Sequence, residues 1–279
     1  MSALEITGLT VDLPSGVRIL HGVDLVVEAG RIHGLAGESG SGKTMTGLAA
    51  LGLLPQGARA GGRILLEDSG SGAGTDLLGL PPKQLNSLRG NAISMVFQDP
   101  STSLHPMLSV GHQLTDHLRH HLKLDRKAAR AKAVDLLGQV RIPNPEEALG
   151  RYPHQFSGGM RQRIAIAVAL ACDPRVLIAD EPTTALDVTV QAGVLRLLRR
   201  LCDELGLAVL LVTHDLGVMS ALADTVSVMR HGRVVETGPR ARVLTAPEHE
   251  YTRSLLDALP EHAPATGPGT AAESPRSTS

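Results

Sequence analysis

The stretch GESGSGKT, residues 37–44, has the residue types and spacing that hold a polyphosphate. It fits GxxxxGK followed by Ser or Thr in full, with Gly37, Gly42, Lys43 and Thr44 at the fixed positions and Glu38, Ser39, Gly40 and Ser41 between them. Glycines let successive backbone N–H groups turn inward around a phosphate. A helix opening directly behind the loop adds the positive end of its dipole. In this pattern Lys43 neutralises the β- and γ-phosphates and the Thr44 hydroxyl ligates Mg²⁺. Further along, VLIADE ends an apolar run on two carboxylates. Asp180, closing a buried strand, can aim at Mg²⁺ through water. Glu181, one residue on, can polarise an attacking water as general base. A plain acidic turn is the alternative for this pair, and a phosphate loop in the same chain disfavours it.

Two more polar residues end apolar runs. His214 closes LAVLLVTH, and ligands collect at the carboxyl ends of parallel strands. There it can hydrogen-bond a γ-phosphate and the water beside it; otherwise it is a helix-capping or core-edge histidine. Gln98 closes ISMVFQ. Its neutral amide can ligate Mg²⁺ or water and let go again, while an ordinary polar strand end remains the alternative. A second anion-binding mouth is FSGGM, residues 156–160, a glycine-rich turn opening a helix with Ser157 at its lip and no lysine.

These groups need strands and helices to position them. Leu4, Ile6, Leu9, Val11 and Leu13 alternate with polar residues, and Val23–Val27 is apolar, so both read as strands of a partly exposed sheet. RIHGLAG is a short strand running into the phosphate loop, and Met45–Leu54 is helical up to Pro55. Residues 67–82, rich in Gly, Ser and Pro, read as a flexible surface loop. AISMVFQ is a further strand, after which strand signals vanish from Pro100 to Tyr152. There Asp125 can cap a helix with Ala129, Ala133, Leu136, Leu137 and Val140 on one face. VLIAD and LAVLLVTH are continuous apolar runs, which suit a parallel sheet covered on both faces.

Composition narrows the class. With 279 residues, 42% apolar, the chain can bury a large core. A net charge of −1 gives no basic field for nucleic acid, and the only aromatic rings, Phe97, Tyr152, Phe156 and Tyr251, leave little to stack on bases. Cys172 and Cys202 form no CxxC pair and read as buried free thiols in a reducing compartment. No signal peptide is visible, and the longest apolar run, Ile164–Cys172, is far short of the roughly 20 residues of a membrane helix. Work at a membrane would therefore go through a partner. The tail 260–279, rich in Pro, Ala, Gly, Ser and Thr, is expected to be disordered.

Taken together, GESGSGKT, FQDP, FSGGMRQR, VLIADEPTTALD and LVTHD, in that order, resemble the ATP-binding subunit of an ABC transporter. The wording around them, including YPHQFSGGMRQRIAIAVAL and YTRSLLDALP, is similar to the oligopeptide, dipeptide and nickel importer group. The resemblance implies an α/β fold, a P-loop NTPase core with a mainly parallel sheet, an N-terminal antiparallel β subdomain and an inserted helical subdomain at about residues 100–163, all within a domain spanning 1–259. It implies an ATPase that binds ATP and Mg²⁺, with Thr44, Gln98 and Asp180 as metal ligands and Glu181, His214 and Gln98 as catalytic groups. It also implies that Ser157, Gly158, Gly159 and Met160 act on the ATP of a second subunit, and that Asp187 runs along the dimer seam. Met160 stands where the family usually has glutamine. Partners would be two membrane-spanning permeases, a second ATPase subunit (a related chain or another copy of this one) and, indirectly, an extracytoplasmic binding protein. The place of work would be the cytoplasmic face of the cell membrane, and the cargo a peptide or nickel.

Two departures from the family pattern carry expectations. The region before the phosphate loop, LPSGVRIL, lacks the usual aromatic residue, so adenine is expected on Val17 or Arg18. The tail has no cysteine, so no iron–sulfur cluster is expected. The competing readings are a soluble ABC ATPase acting on DNA or ribosomes, and a P-loop kinase or GTPase. The first lacks its long coiled-coil insert or second cassette here; the second leaves FSGGMRQR idle and lacks an NKxD guanine motif.

Overall fold

A computed structural model describes residues 2–67, 74–184 and 186–258. The expected alternating N-terminal strands are β1 (Ser2–Asp12) and β2 (Arg18–Glu28), paired antiparallel with Leu4 opposite Val27 and Ile6 opposite Leu25. After β3 (Ile32–Ala36) and α1 (Lys43–Ala50), the chain returns to this sheet with β4 (Arg59–Glu67) and β5 (Gly74–Asp76), giving the order β2-β1-β4-β5. Then come α2 (Pro82–Leu88), β6 (Ile93–Val96) and four helices: α3 (Pro100–Ser103), α4 (Val110–Leu122), α5 (Arg126–Gln139) and α6 (Pro145–Ala148). Asp125 caps α5 by accepting the Ala128 N–H, and Ala129, Ala133, Leu136 and Leu137 are its buried face. The remainder runs α7 (Gly158–Ala169), β7 (Val176–Asp180), α8 (Val188–Leu205), β8 (Ala208–Thr213), α9 (Leu216–Leu222), β9 (Thr225–Arg230), β10 (Arg233–Pro239), α10 (Arg240–Thr245) and α11 (Glu250–Asp257).

The second sheet has the order β10-β9-β3-β8-β7-β6. All its pairs are parallel except β10 with β9. Every residue of β3, β7 and β8 is buried, which explains their unbroken apolar sequence. One face packs on the antiparallel sheet and α1, and the other on the helices from α4 onward, giving two apolar cores back to back. Register then places the chemistry. Ala36 pairs Thr213, Asp180 pairs Val212 and Val96 pairs Ala179, so the residues that follow these strands emerge side by side at one edge.

Two local expectations need correction. The helix expected over Met45–Leu54 stops at Ala50, because Gly52 takes φ +60° and its N–H turns back to the Ala49 carbonyl before Pro55 is reached. In the stretch 67–82 expected to be a loop, residues 68–73 lie outside the described residues, but Gly74–Asp76 is a strand. The Asp76 carboxylate accepts the N–H groups of Ile64 and Leu78, and Leu77 is buried beside it.

The turn between β9 and β10 ties both sheets to the phosphate loop. Gly232 accepts the His21 N–H and donates to the Ser41 carbonyl, both at 2.9 Å. Its φ is +73°, and a Cβ there would lie 2.0 Å from the Ile19 carbonyl oxygen. Left-handed backbone and a clash with main chain compound each other, so Gly232→Ala is expected to destabilise the fold by about 2–4 kcal/mol. Urea denaturation of the variant beside the parent chain measures it.

Candidate active site

The loop between β3 and α1 forms one wall of a cleft of about 770 Å³. Gln98, Glu181, Thr184 and His214 line the same cleft, brought there by the strand ends of β6, β7 and β8. Lys43 is 5% exposed and donates to the carbonyls of Gly37 and Glu38 at 2.8 Å each, holding the loop closed on itself. Burial lowers its pKa, and the carboxylates of Glu181, Asp180 and Glu38 oppose that shift. Gly37 and Gly42 have φ of +147° and +107°, and a Cβ on Gly37 would lie 2.2 Å from the Met229 carbonyl oxygen, so only glycine fits there. The Ser41 hydroxyl is buried in the loop without a hydrogen-bond partner.

Asp180 and Thr44 meet directly, the hydroxyl donating to the carboxylate at 3.1 Å. Burial raises the Asp180 pKa, helped by Glu181 and opposed by the Thr44 bond and Lys43. A buried carboxylate beside a hydroxyl is a donor set for a hard, oxygen-seeking cation, so Mg²⁺ fits these residues.

Glu181 is the most constrained side chain of the cleft. Its Oε2 accepts from the Gln98 amide at 3.0 Å and from the Thr184 hydroxyl at 2.9 Å, and its Oε1 is paired with His214 Nδ1 at 2.9 Å. Burial works against its ionisation, but the bonds from His214 and Thr184, with Lys43 nearby, outweigh it and hold the pKa below the usual glutamate range. The backbone at Glu181 has φ +44°, rare for a non-glycine residue and costly, and its N–H is fixed to the Val212 carbonyl at 2.8 Å. The turn that carries this strain aims the carboxylate into the cleft. An ionised carboxylate, a lysine, a hydroxyl–carboxylate pair and an imidazole around one glycine-rich loop can bind a triphosphate and direct water at its terminal phosphorus.

The structure separates the other named residues from this cleft. Ser157 caps α7, accepting the Met160 N–H at 3.3 Å, and Asp187 caps α8, accepting the Val190 N–H at 2.9 Å. Neither they nor Gly158, Gly159 and Met160 line the cleft. Arg18 is engaged elsewhere. Its guanidinium grips the Asp12 carboxylate at 2.7 and 2.9 Å beside a different depression, and Val17 is exposed. The apolar side chains that do line the cleft are Ile19, Met45 and Leu255. Sequence reasoning missed these and Thr184; only Thr184 carried a signal, a hydroxyl three residues after Glu181. A second depression of about 760 Å³ between the sheets is lined by Glu5, Asp24, Glu28 and Glu236, the wrong charge for phosphate. Cys172 and Cys202 are buried, and burial pushes both thiols up to about 11, which makes them inert core groups.

Residues 20–184 match the ABC transporter family. The chain is 46% identical over 246 residues to the dipeptide transport ATP-binding protein DppD of Bacillus subtilis (strain 168), covering 88% of this chain and 72% of that protein. It is 44% identical over 262 residues to the oligopeptide transport ATP-binding protein OppD of the same organism, covering 92% and 72%. Among solved structures, the dimeric post-hydrolysis state of the ATP-binding cassette MJ0796 bound to ADP and Pi superposes with a TM-score of 0.71 at 26% identity, covering 85% of this chain and 98% of that one.

Proposed function

The chain belongs to the ABC transporter family, and from that premise we propose that it supplies half of each of two ATP sites shared with a second subunit, and so powers peptide import through a membrane transporter. It is an ATP-hydrolysing subunit. Residues 37–44 bind the β- and γ-phosphates, with Lys43 neutralising their charge. Thr44, Asp180 and Gln98 would hold Mg²⁺, which when bound supplies positive charge to the phosphate oxygens. Glu181 takes a proton from water as its oxygen attacks the γ-phosphorus, and the bond to the ADP oxygen breaks in line. His214 orients that carboxylate and reaches for the γ-phosphate. The observation that carries this reading is the convergence of Gln98, Thr184 and His214 on Glu181 in the cleft that also contains Lys43.

The shared site is supported by what the single chain lacks. Its Ser157–Gly159 helix start lines no part of its own cleft, which leaves these anion-binding groups to a partner's γ-phosphate. The relative MJ0796 is dimeric with its products bound. Two subunits would close when ATP bridges them and part after hydrolysis, and the helices α3 to α6 would pass that motion to a permease. No helix among the described residues is long and apolar enough to cross a membrane. The place of work in this reading is the cytoplasmic face of the membrane, docked on the permeases. Peptide cargo follows the names of the relatives DppD and OppD. The test is to purify the chain from membranes with its permeases and second ATPase, and to assay uptake of labelled di- and oligopeptides against Ni²⁺. Uptake of peptide that disappears in Lys43→Ala supports the proposal; uptake of Ni²⁺ alone, or none in the intact assembly, overturns the cargo assignment.

A further inference from the structure

The last helix among the described residues, α11, makes a contact with the phosphate loop that the ATPase reading does not use. Tyr251 is 6% exposed, and its hydroxyl accepts the backbone N–H of Glu38 at 3.3 Å. One turn on, Leu255 lines the cleft itself. The helix is held firmly enough to matter. The Glu236 carboxylate of β10 is buried and accepts the N–H groups of Glu248 and His249 at 2.9 and 3.1 Å, just ahead of α11. His249 Nδ1 then caps the helix by accepting the Tyr251 N–H at 3.1 Å. The Arg230 guanidinium, at the end of β9, lies 4.6 Å from the centre of the Tyr251 ring and fixes it from the other side.

A phosphate loop works only if its N–H groups already point the right way when the anion arrives, because ordering them on binding costs affinity. Glu38 is the second residue of that loop, and by taking its N–H the tyrosine withholds that group from the anion and instead anchors the backbone that leads into the rest of the loop. We propose that Tyr251 is a positioning residue for nucleotide binding, and that α11 is a structural part of the ATP site. The chain of contacts runs from Glu236 through α11 to Glu38. The proposal rests on the reading that residues 37–44 hold the phosphates.

The experiment uses the full chain with Mg²⁺ and two probes, ATP and inorganic tripolyphosphate, titrated by calorimetry, together with steady-state ATPase kinetics of the intact transporter. Tyr251→Phe keeps the ring and removes only the hydroxyl. It is expected to weaken both probes by the same factor, about three- to ten-fold, the size of one ordering hydrogen bond. KM rises by that factor and kcat stays level. Tyr251→Leu, which also removes the ring over which Arg230 lies, weakens both probes further. A merely structural role would lower the melting temperature without moving the tripolyphosphate affinity. Tyr251→Phe with unchanged affinity for both probes overturns the proposal, as does a loss confined to ATP, which would place α11 against the base instead. An unmodified chain that binds ATP but not tripolyphosphate would instead overturn the phosphate-loop reading beneath it.

Discussion

Glu181→Gln is expected to bind Mg·ATP with near-normal affinity and to hydrolyse it about 10²- to 10⁴-fold more slowly, the usual range for loss of a general base. The substitution keeps side-chain size and leaves Lys43 and the glycine loop untouched, so the groups that bind phosphate are intact. It changes what the side chain can accept. Three donors converge on the two carboxylate oxygens, Gln98 and Thr184 on one and His214 on the other. A glutamine must present an –NH₂ to one of these sides and loses that set of bonds. It also cannot take the proton of the attacking water. The lowered pKa of Glu181 keeps the group ionised at neutral pH and makes it a weaker base, so its role rests on where the carboxylate is held. With hydrolysis blocked, ATP should hold two subunits together, and sedimentation of the ATP-loaded variant with its proper partner should show a dimer. Normal turnover in Glu181→Gln would move the base to another residue, with His214 the first candidate.

Much of this site was legible in the sequence because its parts are short-range. A glycine loop between an apolar strand and a helix needs nothing distant to be recognised, and it folds as read. The strand ends carrying Asp180, His214 and Gln98 could be placed at one edge because unbroken apolar runs imply parallel strands, and parallel register aligns their carboxyl ends. His214 and Gln98 line the cleft itself, and Asp180 meets it through the Thr44 hydroxyl. What could not be read depends on contacts between distant segments. Tyr251 and Glu38 are 213 positions apart, and no periodicity links them. The grip of Asp12 on Arg18 spans only six positions, but it depends on the curl of the hairpin, which spacing does not reveal. Gly74–Asp76 reads as loop by composition and becomes strand because Asp76 answers backbone donors on both sides of it. Glu181 shows the same limit at a single residue. Its type predicted a base, but only the positive φ and the three donors around it show how the carboxylate is aimed.

Gly159→Asp separates a shared site from a private one, and its expected effect is also large. The isolated chain should keep its ATP affinity within about two-fold, while turnover of the assembled transporter falls about 10²- to 10³-fold, the loss seen when one anion-stabilising group is removed or opposed. The first half of this expectation follows from placement, since Gly159 lines no part of its own chain's cleft. The second follows from charge, since a carboxylate added to the first turn of α7 opposes the positive helix end that the proposal assigns to the other subunit's γ-phosphate. Sterics must be separated from charge. Any Cβ at Gly159 meets Cγ1 of Val190 at 2.2 Å, so the Val190 side chain must shift or α7 must move away from α8. Gly159→Ala carries that Cβ without the charge, so it measures the packing cost alone and should keep more activity than the aspartate. Lys43→Ala supplies the opposite pattern, losing ATP affinity in the isolated chain as well as turnover. If Gly159→Asp behaves like Lys43→Ala, with affinity lost in the single chain, then FSGGM serves its own nucleotide and the two-chain site is wrong. If it behaves as expected, two mouths in one sequence are accounted for physically: one carries the lysine and binds, and the other, without a lysine, closes over a phosphate that a second chain has already neutralised.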